Sequence, residues 1–143
     1  MYLDTCCLNR PFDDQTQERV RLEAETVLDI LFRLVTGEWT WIGSDVLEFE
    51  VNAIPEIALR TRIQAWMRYV TLSVRLTETE ALRAKTLLGF QIKPLDGQHI
   101  ACAETGGADV FLTTNDRLLA AAQRAASMLH VRVMNPVQWL EEI

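Results

Sequence analysis

The chain has no apolar run approaching the roughly 20 residues that a membrane-spanning helix needs. It opens directly on a strand-like segment, Met1-Tyr2-Leu3-Asp4, which leaves no room for a signal peptide. A soluble, cytoplasmic protein with no membrane partner is therefore expected. Cysteine is scarce. Cys6 and Cys7 are adjacent and Cys102 is distant, so there is neither a disulfide framework nor a CxxC pair, and reduced buried thiols are expected. A zinc site using His99 and Cys102 with Cys6 or Cys7 would lack the paired close ligands usual at both ends. Positive charge is also short: 20 acidic residues against 14 basic give a net charge of −6, which argues against a protein that coats nucleic acid non-specifically but does not exclude a nuclease. No internal repeat, low-complexity tract or linker divides the 143 residues, so residues 1–143 form a single domain.

What is present is a regular alternation of strand-like and helix-like segments. After the first strand, 5–14 reads as a loop, because it holds Pro11 and the acid pair Asp13-Asp14. A long helix follows over 15–36, with Val20, Ala24, Val27, Leu28, Leu31, Leu34 and Val35 on its apolar face and Gly37 just past its end. Residues 39–42 form a second strand, and Ser44 caps a short helix carrying Asp45, Glu48 and Glu50. Pro55 fits the first turn of a helix to about Tyr69, and Val70, Leu72 and Val74 alternate as a third strand. Thr77 to Glu80 is a capping box. Asp96 opens the next helix, Gly106-Gly107 stops it, Val110 to Leu112 is a buried strand, and Thr114 or Asn115 caps the helix behind. Residues 131–134 form the last strand, with a short helix after Asn135-Pro136.

Strands alternating with helices imply an α/β fold, a three-layer α/β/α arrangement around a central parallel sheet of four to five strands. In such sheets, residues just beyond the C-terminal ends of strands meet at one crevice. Asp4 and Asp116 each stand just beyond a strand, Asp96 opens a helix, and Glu50 lies on the helix after strand two. Four carboxylates brought together repel one another unless a cation neutralises them, and oxygen ligands select Mg²⁺ or Mn²⁺. Two such ions about 4 Å apart can promote phosphodiester hydrolysis.

YLDTCCLNRPFDD, SDVLEFEV, LDGQHIACAE and DVFLTTND, in that order and spacing, together resemble a PIN domain, over essentially the full length. The resemblance implies a PIN-like, Rossmann-like fold and a Mg²⁺- or Mn²⁺-dependent endoribonuclease. It also implies an RNA substrate and, for the small stand-alone members, a VapC-type toxin with an antitoxin partner and a homodimeric state. Carried over residue by residue, it gives Asp4, Glu50, Asp96 and Asp116 as catalytic acids. Asp4, Asp96 and Asp116 are the metal ligands, and Thr5, Thr114 and Asn115 support them. Glu48 competes with Glu50 if the register differs. Cys6 stands where the family usually has asparagine, and Arg10 in the adjoining loop is a candidate for holding a phosphate.

Each acid also has a plainer reading. Asp96 and Asp116 at helix N-termini suit the helix dipole without any ligand. His99, on the same helical face as Asp96, reads as satisfied packing and stays outside the catalytic set. Trp39, Trp41, Trp66 and Trp139 read as core or dimer interface before base-stacking, and Arg60, Arg62 and Arg68 as a solvated face or a substrate-channel wall. Other classes fit less well. A receiver domain lacks a mid-chain strand-end aspartate, and a haloacid-dehalogenase-type phosphatase needs an aspartate where Cys6 stands. A catalytically inactive PIN-like module that binds RNA or protein is the remaining alternative.

Overall fold

The computed structural model describes residues 1–143. In chain order, β1 (Tyr2–Leu3) leads into α1 (Thr5–Asn9), a 3₁₀ turn (Arg10–Phe12) and α2 (Glu18–Val35). Then come β2 (Ile42–Ser44), α3 (Asp45–Asn52), α4 (Ile57–Met67), β3 (Leu72–Val74), α5 (Glu78–Leu88) and α6 (Pro94–Thr105). The chain closes with β4 (Val110–Leu112), α7 (Asp116–Arg124), a 3₁₀ turn (Ala126–Met128), β5 (Arg132–Met134) and α8 (Pro136–Glu142).

All strand pairing is parallel. The strands form a three-stranded sheet in the order β1–β4–β5 and a two-stranded sheet, β2–β3, instead of the one sheet of four to five strands expected. The reason is length. The strands run only two or three residues, so each ladder holds few bonds and breaks easily where registers diverge. The two sheets still touch: Ile42 N–H donates to the Met1 carbonyl at 2.8 Å, and the Met1 ammonium donates to the Thr40 carbonyl at 2.8 Å. Eight helices surround these strands, an arrangement compatible with three α/β/α layers.

The core lies between sheet and helices. Tyr2, Leu3, Phe111 and Leu112 are fully buried, as are Val27 and Ile30 of α2 and Leu47 of α3. Each such aliphatic or Phe side chain contributes about 1.5–3 kcal/mol relative to an exposed one. Val20, Ala24, Val27, Leu31 and Leu34 of α2 face inward as the spacing predicts, but Leu28 turns outward at 47% exposure. Gly37 follows the helix at φ +80°, a left-handed conformation that glycine adopts without the penalty a Cβ brings. No helix is long and apolar enough to cross a membrane.

Other boundaries differ from the sequence reading. Part of the supposed 5–14 loop is helical: Asp4 has extended backbone angles and its carboxylate accepts the Thr5 N–H at 2.8 Å, so the acid itself starts α1. The second strand starts at Ile42, with Trp41 buried just before it. Pro55 precedes α4, and Pro94 opens α6, which places Asp96 in that helix's first turn. The Thr77–Glu80 capping box forms, with both reciprocal bonds present.

Candidate metal centre

β1 and β4 are neighbours in the sheet, and both end at the same edge. Tyr2 pairs with Phe111 and Leu3 with Leu112, so Asp4 lies beside Thr113. The Asp4 N–H donates to the Leu112 carbonyl at 2.9 Å and extends the ladder by one bond. Asp4 is 6% exposed, and both its oxygens are engaged. Oδ1 accepts the Thr5 N–H, and Oδ2 accepts the Thr113 hydroxyl at 2.8 Å and, more weakly, the Cys6 thiol at 3.4 Å. These donors are neutral. No lysine or arginine hydrogen-bonds Asp4, so its charge is solvated by dipoles and left without a counter-ion.

Glu50 reaches the same edge from α3. Its Oε1 accepts the Thr5 hydroxyl at 2.7 Å and makes a very short hydrogen bond with His99 Nε2. Burial works to raise the Glu50 carboxyl, but the bonds to His99 and Thr5 outweigh it and hold the group below the usual carboxylate range. Glu48 points elsewhere, accepting the Ser73 hydroxyl at 3.3 Å.

Asp96 projects from the first turn of α6 and accepts no hydrogen bond. Burial raises its pKa above the ordinary value, and the nearby Asp4 carboxylate raises it further, with a smaller push from Glu50. His99 and Lys93 offset part of this. A half-buried carboxylate that accepts nothing and is repelled by its neighbours is not acting as a helix cap. Beside it lies a cavity of about 290 Å³, lined by Lys93, Asn115, Arg117 and Arg124 as well as Asp96.

The remaining expected residues are placed differently. Asp116 is exposed and forms a bidentate pair with Arg19, at 2.6 and 2.7 Å, which holds its pKa below the ordinary value. This pair sits on the wall of a larger cavity of about 1200 Å³ that runs along β5, α7 and α8. Arg10 is bound to Asp13 at 3.1 Å and to Glu23 at 2.9 Å. Asn115 is the cap of α7, accepting from Arg117 N–H and Leu118 N–H. Thr5 supports both Asp4 and Glu50. Thr114 contributes its backbone N–H to the Cys6 sulfur at 3.4 Å, while the hydroxyl on Asp4 belongs to Thr113. Cys6 thus keeps weak contacts to Asp4 and Thr113 at the position where a longer amide would be expected.

Two buried residues complete the centre from the strand and helix behind it. His99 is 1% exposed, with Nδ1 2.6 Å from the Tyr2 hydroxyl. Tyr2 is also 2.6 Å from the Ser44 hydroxyl, which accepts the Leu47 N–H at 3.0 Å as the cap of α3. The His99 signal was visible three positions after Asp96, on one helix face. Tyr2 and Thr113 gave none, since their partners are remote in sequence.

Donor atoms of Asp4, Glu50 and His99 all lie within 4.8 Å of one another. This set suits a divalent cation. Asp96 lies outside the group but close enough to feel the charges of Asp4 and Glu50, a repulsion that a cation would relieve. The chain matches no family model, no curated protein and no solved structure.

Proposed function

We propose that the chain is a metal-dependent endoribonuclease of PIN-like type, using Asp4, Glu50 and Asp96 to hold Mg²⁺ or Mn²⁺. The observation that carries this reading is the cluster of Asp4, Glu50 and His99 donor atoms within 4.8 Å at one sheet edge, with Asp96 close by, its pKa raised by burial and then by Asp4. Bound there, a divalent cation supplies an activated water and stabilises the oxygen that leaves in phosphodiester hydrolysis. Thr5 and Thr113 fix the carboxylates of Glu50 and Asp4 in position. Lys93, Arg117 and Arg124, around the cavity beside Asp96, offer positive charge to an RNA backbone. Asp116 joins the acids only when Arg19 releases it, so its contribution is the smallest of the four.

The finer features of the resemblance belong to the same proposal. The two backbone bonds that join Met1 to Thr40 and Ile42 support one PIN-like sheet in the order β3–β2–β1–β4–β5, with Asp4 near its switch point. A cytoplasmic toxin role, an antitoxin partner and a homodimer go with it.

The test is cleavage of a mixed RNA by purified protein with Mn²⁺, against EDTA. Asp4→Asn and Asp96→Asn are expected to lose activity by about 100-fold or more while keeping the fold. Full activity in either variant overturns the assignment. A second reading, an inactive PIN-like binding module, draws on the occupation of Asp116 by Arg19. Calorimetry separates the two, because the inactive module takes up no Mn²⁺.

A further inference from the structure

We propose that His99 supplies a nitrogen ligand to the cation held by Asp4 and Glu50, so that the centre prefers first-row transition dications such as Mn²⁺ to Mg²⁺. The inference rests on the metal-dependent reading above. It replaces an all-oxygen site by a mixed one.

The first support is distance. Two ligands on one ion, with bonds of about 2.1–2.2 Å, stand roughly 3 Å apart when adjacent and roughly 4.3 Å apart when opposite. The donor atoms of Asp4, Glu50 and His99 already lie within 4.8 Å of each other, so only small side-chain shifts are needed. Asp96 and His99 are three apart on α6, which turns a carboxylate and an imidazole to one side of the helix.

The second support is the way the imidazole is held. Ligating histidines characteristically bind the metal through one nitrogen while a fixed polar group holds the other. His99 has that arrangement: Nε2 faces Glu50, and Nδ1 lies against the Tyr2 hydroxyl at 2.6 Å. Tyr2 cannot turn away, because its ring stacks on Phe111 at 5.2 Å and its hydroxyl also meets Ser44. In the metal-free chain a proton lies between Nε2 and the Glu50 carboxylate. A cation displaces that proton and parts the two atoms, and the imidazole then carries its proton on Nδ1, donated to Tyr2, while Tyr2 donates to Ser44. Imidazole nitrogen favours Mn²⁺, Fe²⁺ or Co²⁺, whereas Mg²⁺ favours oxygen and retained water.

The experiment is electron spin-echo spectroscopy of the full chain loaded with one equivalent of Mn²⁺. Modulation from ¹⁴N coupled to the ion is expected in the unaltered protein. The chain has two histidines, and the other, His130, is exposed beyond α7, so His130→Gln is expected to keep the modulation and His99→Gln to lose it. By calorimetry, the preference for Mn²⁺ over Mg²⁺ is expected to fall about tenfold or more in His99→Gln. Bound Mn²⁺ with no ¹⁴N modulation in the unaltered protein overturns the role of His99 and leaves the carboxylate site standing. Failure of the folded chain to bind Mn²⁺ overturns both. If His99→Gln does not fold, the unaltered and His130→Gln spectra still decide.

Discussion

Tyr2 and Phe111 stand side by side on β1 and β4 with their rings 9° from parallel, and this stack aims the Tyr2 hydroxyl at His99. Tyr2→Phe keeps the stack and removes the hydroxyl, leaving Ser44 and His99 Nδ1 without their buried partner. We expect a loss of about 1–3 kcal/mol in urea unfolding with native circular dichroism retained. An unchanged midpoint would show that the phenol is dispensable.

Asp96 gives a pH signature. Its folded pKa lies above its unfolded value, so in the metal-free chain it favours folding fully below the unfolded value, and that contribution is lost as pH rises through the folded one. Glu50, held low, does the reverse: its stabilisation is present above the unfolded value and lost as pH falls through the folded one. Asp96→Asn should therefore raise the Tm of the metal-free protein near pH 7, by about 1–3 °C. Differential scanning in EDTA measures it, and a lower Tm would contradict the repulsion.

The same shift governs cation uptake. Mn²⁺ needs Asp96 ionised, so affinity should weaken as pH falls through the raised Asp96 pKa, at a higher pH than an ordinary aspartate near 3.9 would give. Calorimetric titrations from pH 7 down past the ordinary aspartate value, on the unaltered chain and on Asp96→Asn, provide the check. Identical profiles for the two would place the ion away from Asp96.

Gly106 sets how closely α6 approaches β2 and β3. A Cβ there would lie 2.6 Å from Ile42 Cγ2 and 2.9 Å from Val74 Cγ2, both on strands packed under the helix end. Gly106→Ala should cost about 1–3 kcal/mol through overpacking, read as a lower Tm.

Arg19 and Asp116 define the weakest member of the acid set. With both side chains more than half exposed, the pair itself adds little stability. Asp116→Asn should reduce RNA cleavage less than tenfold, well short of the effect of Asp4→Asn. Equal losses would mean that Arg19 gives way during turnover.

The alternation of apolar runs and caps made the α/β class and the element order legible, because each signal is local: Ser44 before α3, Thr77 with Glu80, and Gly37 after α2. Asp4 and Glu50 meet at one sheet edge, which depends on topology more than on any one side chain, and the third donor within reach is His99. What stayed hidden was non-local. Which of the adjacent Thr113 and Thr114 faces Asp4 depends on the pleat of β4 against β1, which the local sequence does not encode. His99 reads as packing from its local sequence because its partners Tyr2 and Glu50 are 97 and 49 residues away. Helix α1 reads as loop because Pro11 and the two acids after it outweigh the five residues that Asp4 caps.

The pairing of β1 with β4 also orders events during synthesis. Tyr2 and Leu3 precede their ladder partners Phe111 and Leu112 by 109 residues. At ribosomal speeds of about 5–20 residues per second, β1 waits roughly 5–22 seconds for its neighbour. Until β4 arrives, Asp4 has no Thr113 beside it, so its carboxylate is fixed in place only after that strand has been made.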